Sequence, residues 1–357
     1  MLLFDIHLDL AMNATLWNRD LTRSIEEIRE RERDLTDYPD RGNGVVCLPE
    51  MRRGGVGLCV ATLIARYVKP GNPLPGSNSP EQAWAMTQWQ LAWYRAMEEA
   101  GEMTAIVDVA GLERHAALWK GDPSANAPIG YVLSMECADA IITPAHLEGF
   151  YTQGVRAVGP AHYGPGTYAQ GTEATGGLGP RGRELLDEMA RLNVILDATH
   201  LCDDSFWEAM DHFHGPVWAS HSNCRTVVPG ERQFSDDQIR LLIERGAVIG
   251  AVLDAWMVIP GWIKHKTLPE EAGLRMEHVV DHIDHICQLA GNANHVCIGS
   301  DLDGGFGREQ CPADLNTIAD LAKYQDLLTA RGYGAEDIEA IFHGNVIRFL
   351  QEVWTSG

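Results

Sequence analysis

RLNVILDATHLCDDSFWEAMDHFHGPVWASHSNC, residues 191–224, contains two short apolar runs with one helical stretch between them. The runs are residues 194–198 and 216–219, and a histidine stands two positions beyond each, His200 and His221. Residues 205–213 between them are a helix candidate. A buried apolar run, a helix and a second apolar run make a βαβ unit, whose two strands lie parallel. Both histidines then sit at the same edge of one sheet, at the C-terminal ends of its strands.

The same alternation continues in both directions. Further apolar runs occupy residues 2–6, 56–65, 103–107, 129–135, 155–160, 247–253 and 295–299, and their Val, Ile and Leu content suits strands buried on both faces. Helix candidates fill 80–100, 144–153, 181–192, 235–245, 274–290 and 314–330, with Gly101, Gly154, Gly246, Gly291 and Gly332 placed to cap their C-termini. The expected fold is an α/β, TIM-like (β/α)8 barrel forming one domain over residues 1–357. There is one strand candidate too many. The 103–107 run ends in no polar functional residue, so it is expected to be an accessory strand. An open doubly wound sheet is disfavoured because no glycine-rich phosphate loop follows a strand. Residues 13–53 read as a long charged loop with one short helix at 24–33. Residues 66–80 and 163–180 read as Pro/Gly-rich loops on the active face.

Composition narrows the function classes. A formal charge of −22 repels phosphate backbones, so nucleic acid is not an expected partner. No apolar stretch reaches the roughly 20 residues of a membrane span. The first ten residues lack a basic segment and a cleavage site, and Asp5, His7 and Asp9 interrupt them. Eight cysteines form no CxxC pair, and the expectation is free thiols in the cytoplasm.

Catalytic groups of a barrel sit at the C-terminal ends of its strands. Six runs end in such groups: His7 and Asp9, Glu136, His162, His200, His221, and Asp301. Imidazole and carboxylate are the ligands zinc takes where no thiolate is offered. His7 and Asp9, two apart on a strand, point to the same side. So many ionisable groups buried together call for a counter-charge, and their number suits two zinc ions sharing a bridging group better than one. Some two-metal barrels bridge their ions with a carbamylated lysine. None of Lys69, Lys120, Lys264, Lys266 and Lys323 ends a central strand in the required setting, which leaves Glu136 as the candidate bridge. The barrel is therefore expected to be of the metal-dependent hydrolase type.

HLDL at residues 7–10, the Glu136 strand end, LDATH at 196–200, SHSNCRTVVPGERQF at 220–234, GSDLDGG at 299–305 and HGNVIRF at 343–349 together resemble the membrane (renal) dipeptidase family, peptidase family M19 of the amidohydrolase superfamily. Each motif alone is weak, but the ordered set spans nearly the whole chain. The resemblance implies a zinc metallopeptidase with two Zn2+ per chain, His7 and Asp9 on one ion, His200 and His221 on the other, and Glu136 between them. It implies that His162 polarises the scissile carbonyl, that Arg232 clamps the substrate's terminal carboxylate, and that Asp301 moves the proton. Many members accept a D-residue at the C-terminal position of a dipeptide, and many are homodimers. The alternative is a related hydrolase acting on a cyclic amide, a lactam or an N-acyl amino acid. Arg232 favours the dipeptide, since a carboxylate clamp has little use on a neutral substrate. Leu8 replaces the family's usual Asn, and Cys137 and Ala138 replace the glycines that usually follow the bridging Glu.

Blander roles stand beside these. Asp301 has helix capping or metal ligation as alternatives, and Asp303 reads as a turn or capping residue. His278, His282 and His285 in HVVDHIDH read as packing of a helix outside the barrel. Cys137 and Cys202 flank proposed ligands but should point away from them.

Overall fold

The computed structural model describes residues 1–68, 75–121 and 123–355. Part of the 66–80 loop, including Lys69, lies outside the described residues. Among the described residues, nine parallel strands form the sheet: β1 (Leu3–Leu8), β2 (Val56–Ile64), β3 (Met103–Ala105), β4 (Ile129–Glu136), β5 (Val155–Gly159), β6 (Ile195–Asp197), β7 (Val217–Trp218), β8 (Ile249–Ala251) and β9 (Val296–Ile298). Their spatial order is β7-β6-β5-β4-β2-β1-β9-β8. A parallel bridge from Ala219 to Ile249 joins the two ends, with the Gly250 amide donating to the Ala219 carbonyl at 2.8 Å. The eight strands of this path therefore make a nearly closed barrel, as the alternation of runs and helices anticipates.

β3 stands off the path and pairs with residues 129–131 of β4, before β5 joins the same strand at Leu133. It is the accessory strand expected at 103–107. Closure is tight beside the site. A Cβ on Gly299 would lie 1.8 Å from the Ser220 carbonyl oxygen, so only glycine lets β9 come this close to the end of β7. The glycines expected to cap helices at 101, 154, 246, 291 and 332 all have positive φ, between 71° and 111°.

The structure corrects three local readings. The 13–53 segment carries the short helix expected at 24–33, as Ile25–Glu32, but is more helical around it than a long loop. The helix Leu10–Thr15 runs into it and Leu48–Arg53 closes it, and a few of its charges turn inward while Asp20, Arg23, Glu26, Glu27 and Arg33 stay exposed. Buried Arg19 donates to Glu32 at 2.8 Å and to Asp40 at 2.9 Å, and Arg41 donates to Glu32 at 2.6 Å. Part of the charge density that reads as solvated is internal pairing. The 314–330 helix begins only at Ile318, as a 3-10 segment that passes into the α-helix Tyr324–Arg331. A helix over Val109–Lys120, capped by the Asp108 side chain, escaped the reading altogether.

HGNVIRF serves the far end of the barrel. A π-helix spans Ala340–Gly344, and the Asn345 amide donates to the carbonyls of Ala293 and Val296 at 2.6 and 2.8 Å, where β9 begins. The motif anchors the last helix to the face opposite the site.

His282 is fully buried on the helix Glu277–Ala290, as packing predicts. Its Nδ1 accepts from the Cys224 amide at 3.1 Å, and its Nε2 donates to the Val258 carbonyl at 3.1 Å. Burial pushes its pKa down to about 4, against a hydrogen bond to Val258 and the charge of Asp281. The unfolded chain, with an ordinary histidine near pH 6.5, takes up a proton the folded chain refuses. The contribution of His282 is thus full above about pH 6.5 and is lost as pH falls toward 4. Urea unfolding between pH 7 and 4.5 should give a flatter stability curve for His282→Asn than for wild type, by at most about 1.4 kcal/mol per pH unit. Parallel curves would remove His282 from the acid response.

Candidate metal centre

The strand ends carry their side chains inward through unusual backbone. His200 and Asp301 have φ of 68° and 58°, and Cys137, next to Glu136, has φ of 80°. Non-glycine residues hold this left-handed conformation at a cost on the order of 1 kcal/mol each, and such strain collects at functional sites. Glycine would adopt the turn at Cys137 without this cost.

These turns bring the sequence-predicted residues into one cluster. Glu136 lies at its centre. Its Oε2 is 3.5 Å from His7 Nε2, while its Oε1 is 3.2 Å from His200 Nε2 and 3.5 Å from both His221 Nε2 and His162 Nε2. Asp9 Oδ1 and Asp301 Oδ1 stand 4.0 and 3.8 Å from His7 Nε2. The Nε2 atoms of His200 and His221 face each other at 3.1 Å. Among the described residues, the groups able to share an ion are His7–Asp9–Glu136, Glu136–His162–His200 and His7–His221–Asp301. They form one continuous cluster, and neither a cysteine nor the HVVDHIDH helix enters it.

The outer nitrogens of the imidazoles are held by hydroxyls. Ser220 Oγ lies 3.2 Å from His7 Nδ1 and 2.9 Å from His221 Nδ1, and Thr172 Oγ1 lies 3.0 Å from His200 Nδ1. With Nδ1 so engaged, each ring presents Nε2 to the centre, the arrangement that fixes metal-binding histidines elsewhere. The Thr62 hydroxyl donates to Asp9. Asp303 sits in a turn with φ of 61°, as expected, and its carboxylate also accepts from the amides of Val45 and Val46 at 2.9 Å, tying the loop after β9 to the 13–53 segment.

The residues fit divalent metal on their own evidence. Buried His7 Nε2 and Glu136 Oε2 have no hydrogen-bond partner among the described residues, although both point into the cluster. The charges are equally unsettled. Burial opposes the protonation of His7, yet Glu136, Asp9 and Asp301 push it up to about 10. Burial, with Glu136 beside it, raises Asp9 to about 7, and burial drives Asp301 well above the carboxylate range. The protein alone must take up protons to relieve the carboxylates, a relief that cations would replace. Burial keeps His200 and His221 well below the usual histidine range, so both are neutral, as metal ligation requires.

Above the cluster lies a cavity of about 210 Å3. Arg232 lines it, 5% exposed, donating to Ser222 Oγ and to the His221 carbonyl, both at 2.9 Å. Asp254, Arg66, Tyr163, Lys264 and Gln310 also line it and were not anticipated. Asp254 follows the 247–253 run directly and Arg66 follows the 56–65 run, so the strand-end rule that found Glu136 would have found both.

A parallel eight-stranded barrel with an imidazole–carboxylate cluster at its C-terminal mouth defines the class: a (β/α)8 barrel of the metal-dependent type. The family described as membrane dipeptidase, peptidase family M19, matches residues 1–356, and the chain belongs to that family. It is 32% identical over 217 residues to dipeptidase tcpJ of Claviceps purpurea, a match covering 59% of this chain and 44% of that relative, so the chain spans less than half of its length. The crystal structure of dipeptidase AC, a metallopeptidase of family M19, superposes with a TM-score of 0.77 at 24% identity over 99% of both chains. A metallopeptidase from Rhodobacter sphaeroides, bound to a phosphinate mimic of L-Ala-D-Ala, does so with a TM-score of 0.77 at 23% identity, again over 99% of both. No described helix is long and apolar enough to cross a membrane.

Proposed function

We propose that the chain is a dipeptidase working at a centre of two zinc ions, with His7 and Asp9 on one ion, His200 and His221 on the other, and Glu136 bridging them. The observation that carries this reading is the splay of Glu136, one oxygen toward His7 and the other toward His200 and His221. Family membership supports the activity. The L-Ala-D-Ala mimic in the Rhodobacter protein supports including substrates with a C-terminal D-residue.

Divalent metal held here supplies Lewis acidity and a water of lowered pKa. The remaining work falls to side chains. Arg232 offers a planar fork matched to a carboxylate and orients the substrate by its C-terminus. His162 lowers the energy of the developing oxyanion by donating a hydrogen bond as a neutral imidazole, a state that burial enforces by pushing its pKa down to about 4. Asp301, 3.8 Å from His7 Nε2, receives the nucleophile's proton and returns it to the leaving amine. We place the enzyme in the cytoplasm as a homodimer.

His162 also lies 3.5 Å from Glu136 and belongs to one of the possible metal groups, so its role needs its own test. His162→Asn should lower kcat by roughly 10²–10³-fold with metal per chain unchanged. Loss of metal on this change would make His162 a ligand.

The reading is tested by counting metal per chain and assaying L,L- and L,D-dipeptides beside N-acyl amino acids and dipeptide amides. Two ions and hydrolysis of dipeptides with a free carboxylate are expected. Activity confined to substrates lacking that carboxylate would defeat it.

A further inference from the structure

Among the described residues, three cations line the cavity: Arg66, Arg232 and Lys264. Two have evident work. Arg232 sits beside the histidines, and its charge acts on His162, His200 and His221 alike. Lys264 rests its ammonium 4.4 Å from the centroid of the Trp256 ring and 5.9 Å from that of Tyr163, and its charge falls on Asp254. Asp254 itself is held by neutral donors, Gln310 Nε2 at 2.7 Å and Trp256 Nε1 at 2.6 Å.

Arg66 remains. It stands two residues beyond β2, at the mouth of the barrel, and is half-buried. Its backbone is fixed: the Ser77 amide donates to the Arg66 carbonyl at 2.8 Å, and the next residue, Tyr67, donates its amide to Asp139 at 3.1 Å. Its guanidinium forms no hydrogen bond or ion pair with any described residue, although its charge reaches His162. A cation partly withdrawn from water and facing a substrate cavity is placed to receive an anion. The terminal carboxylate cannot fill it once Arg232 has taken that group.

We propose that the site selects dipeptides carrying an acidic side chain, with Arg66 receiving the side-chain carboxylate while Arg232 holds the terminal one. This rests on the dipeptidase reading and names its substrate class. An acid and its amide counterpart, Asp against Asn or Glu against Gln, match in shape and differ in charge. The ratio of their rates therefore isolates the cation that reads the charge.

The experiment measures kcat/KM of the zinc-loaded enzyme on matched Asp/Asn and Glu/Gln dipeptides, on lysine-bearing dipeptides and on Ala-Ala, with metal per chain determined for every variant. Wild type should favour the better acid over its amide by about tenfold or more. Arg66→Met should bring that ratio near one with metal unchanged, and Arg66→Lys should restore part of it. Equal rates for acid and amide in wild type, a preference for lysine-bearing substrates, or an unchanged ratio in Arg66→Met would overturn the proposal while Ala-Ala hydrolysis upholds the dipeptidase reading. Loss of metal in Arg66→Met would place Arg66 in the framework of the centre and overturn it too. If no dipeptide is cleaved, the dipeptidase reading falls and the proposal with it.

Discussion

Glu136→Gln should leave fewer than two metal ions per chain and lower dipeptide hydrolysis on the order of 10⁴-fold. The change is nearly isosteric, so packing survives it, but it removes a charge at the one position that faces both halves of the cluster. Oε1 stands 3.2 Å from His200 Nε2, and Oε2 stands 3.5 Å from His7 Nε2. An amide nitrogen in either place turns a donor toward a cation. The carboxylate also counters the burial that opposes protonation of His7, so the variant alters the metal-free cluster as well. Circular dichroism should report an intact barrel, and elemental analysis should report the missing metal. A Glu136→Gln chain with two ions and wild-type turnover would deny Glu136 its bridging role.

The second large effect concerns Arg232. Arg232→Met should reduce kcat/KM for dipeptides with a free carboxylate by about 10²–10³-fold, because the substrate's charge is then buried without a partner. Dipeptide amides should lose far less, so the preference for the free acid collapses. Arg232 also donates to the His221 carbonyl at 2.9 Å, and this bond steadies the strand end that carries His221. Arg232→Lys separates the two duties: it keeps the charge and loses the planar fork, and should recover only part of the activity. Both variants should retain metal. Equal losses on acids and amides would reassign Arg232 to support of the centre.

The barrel was legible in the sequence because buried parallel strands leave continuous apolar runs, and 194–198 and 216–219 with their helix already contain the repeating unit. The cluster was legible because a barrel gathers strand ends, so His7, Glu136, His200 and His221 could be listed before any distance was known. What stayed hidden depends on three-dimensional pairing. The buried network of Arg19, Glu32, Asp40 and Arg41 has the composition of a solvated loop, and only the fold makes it internal. Ser220 and Thr172 carry no signal apart from their neighbours, yet their hydroxyls orient three imidazoles. Asp303 reads locally as a turn residue and acts across a long sequence gap on Val45 and Val46. Asp254 and Arg66 are legible as well, since each directly follows an apolar run, 247–253 and 56–65.

Anomalous diffraction at the zinc edge, from crystals grown with the metal, tests the centre most directly. Two peaks are expected, one beside His7 and Asp9 and the other beside His200 and His221, with a Glu136 oxygen on each. A single peak, or ions bound away from Glu136, would contradict the two-metal site on which the proposed chemistry depends.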